Sequence, residues 1–313
     1  MTYLKSQKEI FMIKKLLKKI KTFLRKDHLY EHEINKLMLG KILTNQIKTI
    51  KEVNVEFKNV EFRVFSQFGD DGIIQWLVDS LNITNKIFVE FGVEDYRESN
   101  TRFLMMNNNW SGFVMDGCIE NINRLKSQYY YWQYDLSAQA VFITKDNINL
   151  LIESKNLPKD IGLLCIDLDG NDYYIWKALN VIQPIIVIIE YNSLFGIDRP
   201  ISIIYDDKFV RNNAHYSNLF WGASLLSFNI LAKEKGYSFV GCNSAGNNAF
   251  FVRNDKLNPK VRATSLVNGF IESNYRESRD KAGQLSYLSK QESKKLLSGI
   301  KVFNTELNCE EFF

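Results

Sequence analysis

The spacing of hydrophobic residues along this chain changes near residue 55. Before that point Ile10, Ile13, Leu17, Ile20 and Leu24 recur at alternating steps of three and four, with Lys14, Lys15, Lys18, Lys19 and Lys21 between them. That spacing is the apolar stripe of an amphipathic helix, and a second helical segment over residues 30–50 joins it. Beyond it come short apolar runs at 86–91, 112–116, 141–144, 163–167 and 185–190. They lack strict polar alternation and so predict strands buried on both faces, as parallel strands are. Helical stretches separate them. Residues 65–81 read as a loop opening a helix, 99–108 as a helix with Ser99 at its N-cap, and 221–235 as a helix ended by Gly236. Strand–helix alternation of this kind predicts right-handed crossovers and a doubly wound, mostly parallel α/β sheet. Two last runs, 237–242 and 248–253, flank the turn sequence NSAGN and predict a terminal antiparallel hairpin, with a final helix over 291–300. The expected organisation is a basic helical extension (1–55), an α/β domain (56–260) and a C-terminal tail with a helix (261–313).

The ends of these runs carry the chemistry. Four of them finish on carboxylates: Glu90, Asp116, the pair Asp167 and Asp169, and Glu190. Ligands of open parallel sheets bind outside the carboxyl ends of the strands, so these acids should surround one site. An unpaired buried carboxylate is costly, so four such tips are not a neutral pattern. Gly92, just after the first run, permits close backbone approach to a ligand. The dinucleotide fingerprint GxGxxG is absent, and Glu94 and Asp95 follow Gly92 instead. Acids there repel a pyrophosphate, which disfavours NAD and P-loop nucleotides and suits a cationic, phosphate-free cofactor such as S-adenosylmethionine. Asp116 lies 24 residues after Gly92, near the distance at which an acid reaches ribose hydroxyls; alternatively it caps a helix at Ile119. Asp146 and Asn147, placed at the end of the third strand, would bond an adenine amino group, or Asp146 would cap the helix at Ile148.

Composition removes several classes. Of 313 residues 45% are hydrophobic and 24% charged, as in ordinary globular proteins, and the net charge of +4 does not call for nucleic acid. The four cysteines show no CxxC spacing, so neither zinc nor a disulfide framework is expected. Lysines interrupt every apolar core near the N-terminus, which argues against a secretory signal. A cytoplasmic protein is the expectation, with the basic N-terminal helix either packing on the body or a partner, or lying on an anionic membrane surface.

The succession EFG (90–92) and SNT (99–101), MDG (115–117), IDLDGND (166–172) and IIEYN (188–192) resembles the class I S-adenosylmethionine-dependent methyltransferases, specifically the FkbM-like group. The resemblance spans residues 65–253 and includes the late hairpin GYSFVGCNSAGNNAFFVRND. It implies O-methylation, often of a sugar hydroxyl in a glycan or natural product, with Glu90, Gly92, Asn100, Asp116, Asp146, Asn147 and Asp167 on the cofactor. Segments such as SQFGDDG fold over the cofactor in that group, which brings in Gln67, Asp70 and Asp71. The chain departs from the group's pattern in having Glu94 where a second glycine is usual, and Asp169 and Asp172 where two glutamates are.

Methyl transfer to a hydroxyl needs alignment and a base. The candidates are Asp169, Asp172, Glu190 and His215. Asp167, Asp169, Glu190 and Asn192 also form a set of hard oxygen ligands for Mg²⁺ or Mn²⁺. With such a metal the alternative function is a hydrolase or phosphoryl-transfer enzyme. A non-catalytic binding module working through the basic helix is the third reading.

Overall fold

The computed structural model describes residues 14–15, 30–50, 52 and 55–313. Of the basic stripe only Lys14 and Lys15 are described, both helical and exposed; the rest of it lies outside the described residues. Residues 30–48 form helix α1. Helices and strands then alternate as α2 (Asp70–Ser80), β1 (Ile87–Phe91), α3 (Arg102–Asn108), β2 (Ser111–Asp116), α4 (Ile119–Lys126), β3 (Leu136–Ala140), α5 (Ile148–Glu153), β4 (Asp160–Ile166), α6 (Asp172–Ala178) and β5 (Gln183–Glu190). Next come β6 (Ile201–Ser202), α7 (Arg211–Ala214), α8 (Leu225–Glu234), β7 (Tyr237–Cys242) and β8 (Asn248–Arg253). The chain finishes with α9 (Leu266–Gly269), α10 (Lys290–Leu297), β9 (Lys301–Asn304) and β10 (Cys309–Phe312). Among the described residues no helix is long and apolar enough to cross a membrane.

Seven strands form one sheet in the order β3-β2-β1-β4-β5-β8-β7. Only β8 is reversed: it pairs antiparallel with β5 and β7, and the other pairings are parallel. This is a doubly wound, Rossmann-like sheet closed by an antiparallel hairpin. The register explains why the central runs lack alternation. Phe88, Leu163, Cys165, Ile186 and Ile188 join the core beneath α2, α3 and α4. Their neighbours Val89, Leu164, Ile166, Val187 and Ile189 join the core beneath α5, α6 and α8. Both faces are covered, so both must be apolar.

Four expectations are corrected. The third strand is Leu136–Ala140 rather than 141–144. It sits at the sheet edge, where LSAQA is only partly buried and alternates; its partner β2 ends at the pair Asp116–Ala140, so residues 141–144 have no strand beside them. An edge strand carries a weaker apolar signal than the VFIT run that follows it. Ser99 does not cap α3, which starts at Arg102; its hydroxyl donates to Glu90 and accepts the amide of Thr101. The tail contains a second sheet as well as its helix. Strands β9 and β10 form an antiparallel hairpin, and β9 also pairs with the two-residue strand β6. Helix α8 begins at Leu225, later than expected, because Ser224 accepts the Ser227 amide and starts it there.

Candidate active site

The strand order reverses between β1 and β4, and a cleft of about 750 Å³ opens at the carboxyl ends of β1, β4 and β5, where open α/β sheets take their ligands. Gly92 sits at its centre with φ +73°, and a Cβ there would lie 1.6 Å from the Asp167 carbonyl oxygen. The tips of β1 and β4 touch backbone to backbone, so only glycine fits. Two residues on, Glu94 is held at φ +46°, a conformation that costs a non-glycine residue free energy. Its amide donates to Asp116 Oδ2 at 2.8 Å, and Asp116 Oδ1 accepts the Cys118 amide at 2.8 Å. Asp116 thus ties the tips of β1 and β2 together from behind the cleft. Burial, followed by the charge of Asp116, pushes the Glu94 carboxyl above its usual range.

Glu90 is buried against the cleft wall, and its carboxylate organises the loop before α3. It accepts from Ser99 Oγ at 2.6 Å, from the Asn100 amide at 2.9 Å and from Thr101 Oγ1. Burial raises its pKa, and these bonds oppose the rise. Asn100 faces the same cleft and donates from its side chain to Cys165 Sγ at 3.2 Å.

At the tips of β4 and β5 the carboxylates of Asp167, Asp169 and Glu190 each offer an oxygen, all within 4.8 Å of one another. Asp167 and Glu190 are both pushed well above the carboxylate range, by burial first and then by neighbouring carboxylates. Each therefore opposes the ionisation of the other. Glu190 Oε2 is buried and has no hydrogen-bond partner among the described residues. Asp169, exposed and left-handed at φ +55°, pairs with Arg211 Nη1 at 2.7 Å. The Arg211 guanidinium lies 4.4 Å from the Trp221 ring centroid and also grips Glu277. It joins the β4 tip to the segment around 272–278 that walls the far side of the cleft.

The structure does not bring all the expected residues together. Asp172 is fully buried, and its oxygens accept the amides of Leu168 at 2.7 Å and Gly170 at 2.9 Å. Its pKa is raised to about 6 by burial, opposed by those two bonds. It shapes the loop that presents Asp169 and is not placed to act as base. His215 lies at the end of α7 with Nδ1 2.7 Å from Ser217 Oγ, outside the cleft lining. Asn192 reaches the cleft, but its amide donates to the Leu219 and Trp221 carbonyls and its oxygen accepts from Leu194. It therefore fastens the β5 tip rather than serving as a metal ligand. Asp146 is exposed, and Asn147 closes its own turn through Thr144 and Phe142; neither lines the cleft. Both were tied to a third strand whose true end lies at Ala140. Gln67 faces the cleft. Asp70 and Asp71 are buried: Asp71 Oδ2 takes the amides of Val64, Phe65 and Ser66, and Asp70 takes Asn243 and Asn248.

Sequence reasoning missed Arg211, which sits in a polar, aperiodic stretch with no spacing rule to mark it, and Trp221, which it read only as the start of a helix. Ile119 and Phe142, exposed by 52% and 48% at the tips beyond β2 and β3, do not line the cleft. Phe142 packs over Gly117, where an added Cβ would lie 3.3 Å from its ring.

No protein-family model matches the chain, and comparison with curated proteins returns no match. Similar solved structures include the N-terminal domain of EvdMO1 with SAH bound (9% identity, 71% of this chain and 96% of that one, TM-score 0.40). A second is an S-adenosylmethionine-dependent methyltransferase from Clostridium acetobutylicum (12%, 64% and 92%, 0.37). A third is the O-methyltransferase from Bacillus cereus in complex with SAH (11%, 69% and 89%, 0.38). At these values the strand order, rather than the likeness, defines the fold.

Proposed function

We propose that the chain is an S-adenosylmethionine-dependent O-methyltransferase of the FkbM-like kind, acting on a sugar hydroxyl or a similarly polar group. The observation that carries this reading is the charge of the cleft. Its lining holds eight carboxylates, Glu90, Glu94, Glu98, Asp167, Asp169, Glu190, Glu272 and Glu277, against Arg211, Arg276 and Lys290. A lining so acidic repels a dinucleotide pyrophosphate and favours a ligand bearing sulfonium and ammonium charges. The donor set fits that group: Gly92 and Glu94 give backbone and carboxylate at the β1 tip, and Asn100 and the Glu90-ordered loop border it. Bound there, the cofactor supplies an electrophilic methyl group.

The chain's own residues do the rest. An acceptor hydroxyl near the β4 and β5 tips passes its proton to the ionised Asp167–Glu190 pair, which burial and mutual repulsion make a stronger base than an ordinary carboxylate. Arg211 fixes Asp169, and Trp221 backs Arg211, so the rim of the acceptor side keeps one geometry. A second reading is favoured by the convergence of Asp167, Asp169 and Glu190 with the partnerless Glu190 Oε2, which fits a divalent cation. The guanidinium of Arg211 already neutralises Asp169, so the proton-transfer reading is preferred.

Calorimetric titration with S-adenosylhomocysteine, with and without EDTA, tests the proposal. One-site binding unaffected by EDTA is expected, weakened at least tenfold in Glu94→Lys. No heat at high-micromolar ligand would refute it, and binding or activity lost on chelation would favour the metal reading.

A further inference from the structure

Helix α1 takes no part in the cleft, and its orientation on the body is fixed. Gly40 packs so tightly that a Cβ there would sit 2.7 Å from the Phe103 ring and from Val64. Thr44 and Ile47 are buried on the same face. Glu33 accepts from Arg102 Nη2 at 2.8 Å and from the Tyr129 hydroxyl at 3.0 Å. Arg102 is only 1% exposed, its guanidinium 4.0 Å and 4.2 Å from the Phe65 and Tyr130 ring centroids.

The opposite face then points outward. Met38, Leu39, Ile42 and Leu43 are 58%, 60%, 56% and 36% exposed, and residues at these intervals share one side of a helix. Tyr30 and Tyr129 stack edge-on at 4.9 Å, so the turn Tyr129–Trp132 adjoins the start of α1, and Trp132 in that turn is 77% exposed. Single exposed apolar residues need no explanation, but four on one face of a helix that cannot rotate do.

We propose that this face of α1 seats on an anionic lipid surface, with Met38, Leu39, Ile42 and Leu43 entering the headgroup boundary. Charge and area select that occupant. The 29 residues leading into α1 contain nine Lys or Arg and two Asp or Glu. A second copy of the chain would bring two such cationic arms together, and four side chains expose only a few hundred Å², well short of the ~800 Å² per partner of a stable dimer. An anionic bilayer answers both features: basic residues beside the surface gain from its potential, and aliphatic side chains gain from shallow burial. The inference stands apart from the proposed activity, since it uses no cleft residue.

Co-sedimentation of the full chain with vesicles of phosphatidylcholine alone, or containing phosphatidylglycerol, tests it. Binding to the phosphatidylglycerol vesicles only, weakened by salt, is expected. The Leu39→Glu/Ile42→Glu variant changes two exposed side chains and should keep its Tm while losing at least tenfold in bound fraction. Three results would overturn the proposal: no binding to anionic vesicles, equal binding by the variant, or a dimer in sedimentation equilibrium that the variant abolishes. S-adenosylhomocysteine affinity, measured in parallel, should be the same in variant and wild type.

Discussion

Replacing Gly92 with alanine tests the geometry of the site directly. Two costs combine there. The first is conformational: φ +73° places an alanine in the left-handed region, at roughly 1–2 kcal/mol. The second is contact: the new Cβ would lie 1.6 Å from the Asp167 carbonyl oxygen, and real Cβ atoms do not approach closer than 3.0 Å. The β1 and β4 tips must therefore part by about 1.4 Å, and a misplacement of roughly 1 Å at a site can cost about 100-fold in catalytic rate. Gly236, just past the end of α8 and away from the cleft, separates the two effects. It has φ +82° and nothing within 4 Å of an added Cβ, so Gly236→Ala bears the first cost alone. Thermal melts and calorimetry with S-adenosylhomocysteine on both variants are the assay. Gly236→Ala should lower Tm modestly and bind normally, whereas Gly92→Ala should melt lower still and lose at least tenfold in affinity. The reasoning is refuted if Gly92→Ala melts with Gly236→Ala and binds within a few-fold of wild type.

Two further outcomes concern the supports around the site. Asp70 is fully buried, and burial raises its pKa from 3.8 to about 7, against the bonds from Asn248 and Asn243. The folded state therefore holds this proton more tightly than the unfolded chain. Its contribution favours folding below the ordinary carboxyl value and is lost as pH rises toward 7, by roughly 4 kcal/mol in all. Asp70→Asn cannot ionise, so its stability relative to wild type should improve between pH 4 and pH 8 in urea titrations; a constant difference across that range would contradict the assignment. Arg102→Met removes the ion pair to Glu33 and two ring contacts, which should cost about 2–4 kcal/mol, since Glu33 is 27% exposed and can regain water. Hydrogen exchange should show α1 amides losing protection before those of the sheet, and unchanged protection over 30–48 would show that the helix is held by its apolar face alone.

Much of this was legible in the sequence, and the division follows from physics rather than chance. The central strands announced themselves because both faces are covered, so IIVIIE and LLCI had to be continuous apolar runs. The acids ending them stood out because carboxylates next to a core are costly. What the sequence could not separate was the direction in which each carboxylate faces. Asp172 accepts two backbone amides and Asp116 closes two strand tips, whereas Glu190 keeps a buried oxygen without a partner among the described residues. All three satisfy the same pattern of an acid following an apolar run. The difference lies in where nearby amides point, which is set by the loop backbone and not by residue type. Glu94 shows the point most sharply. As sequence it is a departure from the glycine usual at that position, yet it adopts the left-handed backbone a glycine would take, fastened by its own amide to Asp116. The backbone path around the β1 tip is therefore kept without the glycine, and the strain is borne by a contact 22 residues away in the chain. Strain of this kind persists only where surrounding structure over-determines it, and here that structure is the meeting of β1, β2 and β4. Glu94 thereby adds a carboxylate to the cleft at the position where the proposed cofactor would carry its positive charge.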